Sequence, residues 1–571
     1  MPAMPSMSAR AWVVCAFLPV AAVRAQPPGP APPRTGCLLT ALGDSLTHGT
    51  MDGVNNAINT QNAYLELVAQ ALQDQLPLVF SQPLFDESQT RQRPFVVPTN
   101  LGADGASLFT VTGQRYYKRF GTNANLVASN LLADELDPAQ LSGSHEKVVF
   151  PLHFLRGGPS STLDGVEWLL QTGTAVGGMD RAISIVWLGS NDVGLAVLGS
   201  GGSNPVVQPI PLEEVAAELS PALVLALRLA ERAGVVSFEP FSAVNVARGM
   251  TEVADFVRQL HRVLDRLEAA GERPGLTTEH FLLTLPCFPM SGFLFDSEDL
   301  EFYLQKLAPS YRVPPSFARV APPGAPIVDP NRGDRLTLLT FGLLYGLLHS
   351  GASVGEVNRV LENPDGTQRD GLVLSEAELT SVRNRVDTFN ALLRQAAARR
   401  PRFHLVDVSK AFGDTLIGAT PVVVGGRPIS RKWIRGSGFS MDGVHPSYVG
   451  HALIANFVLD RIDATLGTAS SRYDLETILQ SDPYFDADGD GWAPGPTYSP
   501  VAFAELLFLY RDSDDQDPSV GVTLPPDFWA RVSSALLGIA TETPALRGFV
   551  ERVQRLSPTE LQLELRRMEG T

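Results

Sequence analysis

The chain has 571 residues, 44% of them hydrophobic and 19% charged, a balance that excludes a disordered polymer and permits a large buried core. Its 61 acidic against 45 basic residues leave a net charge of −16, which argues against nucleic acid, whose phosphates demand basic patches, and disfavours anionic membranes. The length exceeds the roughly 100 to 200 residues of an ordinary domain, so one large domain with accessory parts is predicted.

Residues 1–25 read as an export signal: Arg10 precedes the uncharged apolar stretch Ala11 to Ala22, and Val23-Arg24-Ala25 offers small residues for cleavage. The stretch is short for a membrane span, which favours cleavage over an uncleaved anchor and places the mature chain outside the cytoplasm, secreted or periplasmic. Cleavage removes Arg10 and Arg24 and no acid, deepening the charge to −18. Residues 26–36, with five prolines between Gln26 and Arg34, form a stiff tether. Cys15 leaves with the signal; Cys37 and Cys287 are expected at opposite ends of a sheet, as free thiols.

Short apolar runs bounded by turn residues then recur at Leu38 to Leu42, Phe95 to Val97, Ile183 to Leu188, Phe281 to Leu285 and Phe403 to Val408, and read as buried parallel strands. Amphipathic stretches lie between them, including Ala63 to Leu76 and a helix opened by the capping box of Ser375 and Glu378. This alternation predicts an α/β fold: a doubly wound parallel sheet with helices on both faces, long insertions, and chemistry at the carboxyl ends of the strands. The uncharged run Leu336 to Leu348 is too short to span a bilayer and is expected to be a core helix, with an acyl-chain lid as the sharper alternative. Residues 37–468 are assigned to the main domain. Residues 469–571 are assigned to a small, mainly helical extension that opens on an acidic, turn-rich stretch.

Chemistry-bearing residues follow the strands. Gly43-Asp44-Ser45-Leu46 comes directly after the first, placing a serine hydroxyl on a strand-to-helix turn. Asn100-Leu101-Gly102-Ala103-Asp104-Gly105-Ala106 follows the second, its glycines allowing a backbone NH to approach a substrate. Gly189-Ser190-Asn191-Asp192 follows the third and aims a side-chain amide at the same sheet edge. In Ser440-Met441-Asp442-Gly443-Val444-His445-Pro446, an Asp three residues before a His can fix the tautomer that a general base needs; a helix from Tyr448 to Ile462 is predicted after it. Each segment alone is ordinary turn chemistry.

Together, in this order, the four segments resemble the diagnostic blocks of the SGNH hydrolase superfamily, the GDSL lipases and esterases, over roughly residues 37 to 465. The resemblance implies an SGNH, flavodoxin-like three-layer sandwich. It implies Ser45 as nucleophile, His445 as general base and Asp442 as the residue orienting it. The oxyanion hole would comprise the NH groups of Ser45 and Gly105 and the Asn191 side chain. The implied activity is that of an exported serine carboxylic ester hydrolase, working through an acyl-enzyme on a small-molecule or lipid ester without a catalytic cofactor. Carbohydrate acetylesterase activity on the same fold, or a non-catalytic binding or scaffold protein with a calcium-binding tail, are the alternatives.

Three other features bear on chemistry. Gly351-Ala352-Ser353-Val354-Gly355 matches the G-x-S-x-G elbow, but the leucine-rich run before it is a poor strand. His48 is expected on a helix surface, and His451, inside a helix, in a surface or packing role. Asp486, Asp488 and Asp490, with Gly491 at the sixth position, resemble the calcium loops of EF-hand and dockerin-type modules, although position 12 is Thr497. A structural calcium and a solvated acidic turn are both open there.

Overall fold

A computed structural model describes residues 36–119, 122–127, 143–198, 212, 216, 219–232, 238–239, 241–500, 503–508, 511, 524–541, 551–553 and 555–569. The expected export signal, Cys15 and the tether up to residue 35 lie outside the described residues.

Six parallel strands form the central sheet: β1 (Gly36–Gly43), β2 (Leu78–Val79), β3 (Asn100–Gly102), β4 (Met179–Trp187), β5 (Thr277–Leu283) and β6 (Phe403–Val406). Their order is β6-β5-β4-β1-β2, with β3 also on β1. The edge beside β1 is split: Cys37 and Leu38 pair with β2, and Ala41, Leu42 and Gly43 with β3. No strand forms at Phe95 to Val97, where one was expected. That triplet lies between Pro94 and Pro98, and Phe95 and Val96 are exposed, so it is a surface loop.

The helices that frame the sheet are, in chain order, α1 (Ser45–His48), α2 (Tyr64–Gln73), α3 (Thr162–Trp168), α4 (Val253–Gly271), α5 (Leu338–His349), α6 (Glu376–Ala398), α7 (Val408–Leu416) and α8 (Tyr448–Leu466). Because side chains alternate along a strand, β1 feeds two cores at once. Cys37, Leu39 and Ala41 pack with α2, α7 and α8. Leu38 and Leu42 face the other way and pack with α3, α4 and α6. The result is an α/β fold with a parallel sheet between two helical layers. Ser375 and Glu378 form the predicted capping box at the start of α6, the hydroxyl accepting the Glu378 NH and the carboxylate the Ser375 NH.

Helix α5, from the uncharged run, is buried along nearly its whole length; Phe341 stacks on Phe295 with centroids 4.5 Å apart. The C-terminal extension joins this core, with Phe528 and Trp529 against Gly346 and Trp492 only 2% exposed between Tyr303 and Tyr345. Ser353 caps a short helix after α5, its Oγ 2.7 Å from Glu356 Oε2, with no strand leading into it, so the G-x-S-x-G match is no elbow. Cys37 and Cys287 are free thiols. Among the described residues no helix is long and apolar enough to cross a membrane.

Candidate active site

The turn after β1 is as tight as a turn can be. A Cβ on residue 43 would fall 2.1 Å from Thr47 Oγ1, so only glycine lets α1 start immediately after the strand. Asp44 caps α1 by accepting the Leu46 NH at 3.0 Å, which puts Ser45 at the first helical position. Asp44 is fully buried, and burial pushes its carboxyl up to about 7.

Four hundred positions later the chain returns to this point. His445 Nε2 lies 2.8 Å from Ser45 Oγ, and His445 Nδ1 lies 2.6 Å from Asp442 Oδ2. Asp442 Oδ1 also accepts the Val444 and His445 NH groups, each at 2.8 Å, and the Ser440 hydroxyl at 3.0 Å; Oδ2 accepts the Gly53 NH at 2.9 Å. Burial alone would raise the Asp442 carboxyl, but the His445 imidazole and these donors outweigh it and hold it below the usual range. For His445 burial works downward, yet the charge and hydrogen bond of Asp442, helped by Asp104 and Asp44, leave it above its ordinary value.

The loop after β3 stands beside this pair. Gly105 has φ +69°, and the Asn191 amide donates to the carbonyl of the next residue, Ala106, at 3.0 Å. Asp192 joins the two loops, accepting the Leu108 NH and the Thr251 hydroxyl, each at 3.0 Å; burial pushes its carboxyl up to about 6. The structure therefore gathers Ser45, Asp442 and His445 in one hydrogen-bonded chain and ties Asn191 to the Gly105 loop. An apolar cavity of about 20 Å³, lined in part by Leu46, Phe288, Phe439 and Val444, lies next to residues adjoining Ser45 and His445. No family model, curated protein or solved structure matches the chain.

Two histidines differ from or refine expectation. His48 is not on a surface: it is fully buried, edge-on to Phe85 with centroids 4.9 Å apart, and its Nδ1 is 3.9 Å from Asp104 Oδ1. The cause is the brevity of α1, whose end is closed over by the β3 backbone; a Cβ at Gly102 would lie 2.5 Å from the His48 nitrogen. Burial lowers its pKa, which keeps it neutral. His451 packs under Tyr64, Nδ1 accepting the Tyr64 NH at 3.2 Å, and burial pushes it down to about 3.

Sequence reasoning passed over Asp52 and Asp192. Asp192 reads as turn chemistry next to Asn191, and nothing local announces its partner at Thr251. Asp52-Gly53 is a recognised two-residue hairpin signal: φ is +55° at Asp52 and +69° at Gly53, and Met51 and Val54 exchange both backbone hydrogen bonds. The signal predicts the turn but not that its Gly53 NH reaches Asp442.

Among the described residues, two acidic clusters could hold a cation. In the first, Asp296, Glu298 and Asp299 are occupied by Arg431, Lys432 and Arg435, an ion-pair network that anchors the segment leading to Asp442. The second is Asp486, Asp488 and Asp490. Asp486 accepts the Gly489 and Gly491 NH groups at 2.6 and 2.9 Å, and Asp490 accepts the Trp492 NH at 2.8 Å. Burial, added to by the Asp488 and Asp486 charges, pushes Asp490 up to about 6. The flanking cations, Arg427 and Lys306, donate to backbone carbonyls of Asp486, Ala487 and Asp490, and Arg427 also lies 3.9 Å from the Asp486 carboxylate; the three carboxylates offer the hard oxygen donors that suit calcium.

Proposed function

We propose that this chain is a serine carboxylic ester hydrolase of the SGNH (GDSL) type, acting outside the cytoplasm on a small-molecule or lipid ester. The observation that carries the reading is the continuous path Ser45 Oγ, His445 Nε2, His445 Nδ1, Asp442 Oδ2, with steps of 2.8 and 2.6 Å. A serine hydroxyl is a weak nucleophile until a base takes its proton, and a base acts only in the correct tautomer. Asp442 accepts a hydrogen bond from Nδ1–H and so leaves the Nε2 lone pair facing the hydroxyl. A parallel sheet between helical layers, with Ser45 directly after β1 and Asn191 in the loop after β4, supports this reading.

In the reaction, Ser45 Oγ attacks the ester carbonyl carbon as its proton passes to His445 Nε2. The carbonyl π pair moves onto oxygen, which takes hydrogen bonds from the NH groups of Ser45 and Gly105 and from the second N–H of the Asn191 amide. The pair returns, the C–O bond to the alcohol breaks, and His445 gives its proton to the departing oxygen, leaving the acyl group on Ser45. Water, deprotonated by His445, attacks the acyl carbon; the C–O bond to Ser45 breaks, His445 returns its proton to Ser45 Oγ, and the acid is released. Asp442 stabilises the imidazolium throughout and is not itself protonated.

These steps call on side chains, backbone NH groups and water; a calcium ion in the 486–490 loop would be structural. The experiment is hydrolysis of p-nitrophenyl acetate, butyrate and palmitate beside acetylated sugars, using the parent chain and Ser45→Ala. Ester hydrolysis that disappears in Ser45→Ala with the melting temperature preserved is the expected result. Equal rates in the two chains would falsify the assignment.

A further inference from the structure

Asp442 is held from two directions. One set of donors comes from its own loop. The other comes from the Met51–Val54 hairpin, whose Gly53 NH reaches Oδ2, the same oxygen that faces His445. Asp52, the other central residue of that hairpin, is fully buried in the left-handed region that few side chains adopt. Its NH donates to Ser440 Oγ at 3.2 Å, and Ser440 Oγ donates on to Asp442 Oδ1. Its Oδ1 accepts the Met441 NH at 2.9 Å. Asp52 thus grips the two residues that lead into Asp442.

What grips Asp52 comes from the far end of the sequence. Its Oδ2 accepts the hydroxyls of Tyr484 and Tyr498, each at 2.8 Å. Both phenols are nearly or fully buried, and Asn59 donates to the Tyr498 oxygen at 3.2 Å. Two carboxylates this close repel, and burial with the charge of Asp442 pushes Asp52 up to about 7. A buried acid in a strained backbone beside a second acid persists only where the surroundings over-determine it. Here two phenols and one backbone NH do so. An acid serving the hairpin alone would need neither a contact to residue 441 nor two partners more than 400 positions away.

We infer that Asp52, clamped by Tyr484 and Tyr498, is a positioning residue that sets Asp442 against His445, so that segment 482–498 is a working part of the hydrolytic site. The inference rests on the ester-hydrolase reading. Releasing the clamp frees the hairpin, the Gly53 NH withdraws from Oδ2, and the His445 ring loses the fixed acceptor that aims it at Ser45. Geometry at the reacting atoms changes while the substrate-contacting loops do not, so kcat falls and KM stays. A displacement of about 1 Å costs on the order of 10²-fold in rate.

The test uses the full-length chain and p-nitrophenyl butyrate, with active sites counted by a fluorophosphonate so that rates refer to folded, reactive serine. Tyr484→Phe, Tyr498→Phe, their double variant, Asp52→Asn and Asp52→Ala are compared with the parent and with Ser45→Ala. We expect the double variant to lose roughly 10- to 100-fold in kcat per titrated site with KM unchanged, each single variant to lose less, and Asp52→Asn, which keeps an oxygen for Met441, to retain more than Asp52→Ala. If the double variant fails to fold, the single phenylalanine variants carry the comparison. Parental kcat per titrated site in the phenylalanine variants, with only the melting temperature lowered, overturns the inference and leaves the hydrolase reading intact. A parent no more active than Ser45→Ala overturns both.

Discussion

Replacing Asp442 by an asparagine tests the relay most sharply, because the change is nearly isosteric and the structure specifies its outcome. The new amide can put its oxygen at either carboxylate position. With oxygen at Oδ1 it keeps the Val444 and His445 NH groups and the Ser440 hydroxyl; the reverse orientation would set an amide NH₂ against both backbone donors. The first orientation wins. It leaves NH₂ where Oδ2 stood, 2.9 Å from the Gly53 nitrogen and 2.6 Å from His445 Nδ1. Two donors now face each other at Gly53, and His445 satisfies the amide only by presenting a bare Nδ1, which moves its proton to Nε2. A protonated Nε2 points a hydrogen at Ser45 and cannot accept one. The lost charge-assisted bond is worth about 2 kcal/mol of stability. The wrong tautomer should cost kcat on the order of 10⁴-fold, about 5.5 kcal/mol of barrier. Steady-state hydrolysis of p-nitrophenyl butyrate, with melting followed by circular dichroism, measures both. A folded Asp442→Asn chain whose kcat stays within about tenfold of the parent would refute the role given to Asp442.

Other outcomes follow from the same geometry. Asn191→Ala removes a proposed oxyanion donor and should lower kcat about 10²- to 10³-fold with little change in melting temperature, read by steady-state kinetics and calorimetry. Because His445, as the proposed base, must be neutral to act and is held above its ordinary value of about 6.5, kcat/KM should rise with pH through a midpoint above about 6.5. Asp442, held low, stays ionised across that range; a midpoint below about 6 would contradict the His445–Asp442 coupling. If the 486–490 loop binds calcium, excess calcium should raise the melting temperature over that in chelator, and Asp488→Asn with Asp490→Asn should abolish the difference.

What could be seen in the sequence was the chemistry that is local to a few residues. Gly43 next to Asp44 and Ser45 reports a turn whose sterics are decided within five positions, and Asp442 caps its own loop three residues from His445. Strands β1, β4 and β5 announced themselves as apolar runs because both faces of a central parallel strand are buried; β6, at the sheet edge, showed through Phe403 and Val406, the two of its residues that are buried. The split edge strand did not, since Leu78–Val79 and Asn100–Gly102 are two and three residues long, below any periodicity. His48 was misplaced for a related reason: one helical turn has no polar and apolar side to compare, and only the β3 backbone decides that it is covered. Asp52 and Asp192 owe their roles to partners far along the chain, Tyr484 and Tyr498 for one, Thr251 for the other, which local pattern cannot reveal.

The 400-residue separation of Ser45 and His445 also bears on biosynthesis. A ribosome finishes the nucleophile's turn early, while the imidazole arrives only after three quarters of the polypeptide has been made, and parallel strands that pair across long intervals assemble slowly. On the proposed hydrolase reading, the nascent chain during that interval carries Ser45 as an unactivated alcohol, silent towards esters until the segment holding Asp442 and His445 has been made and docked.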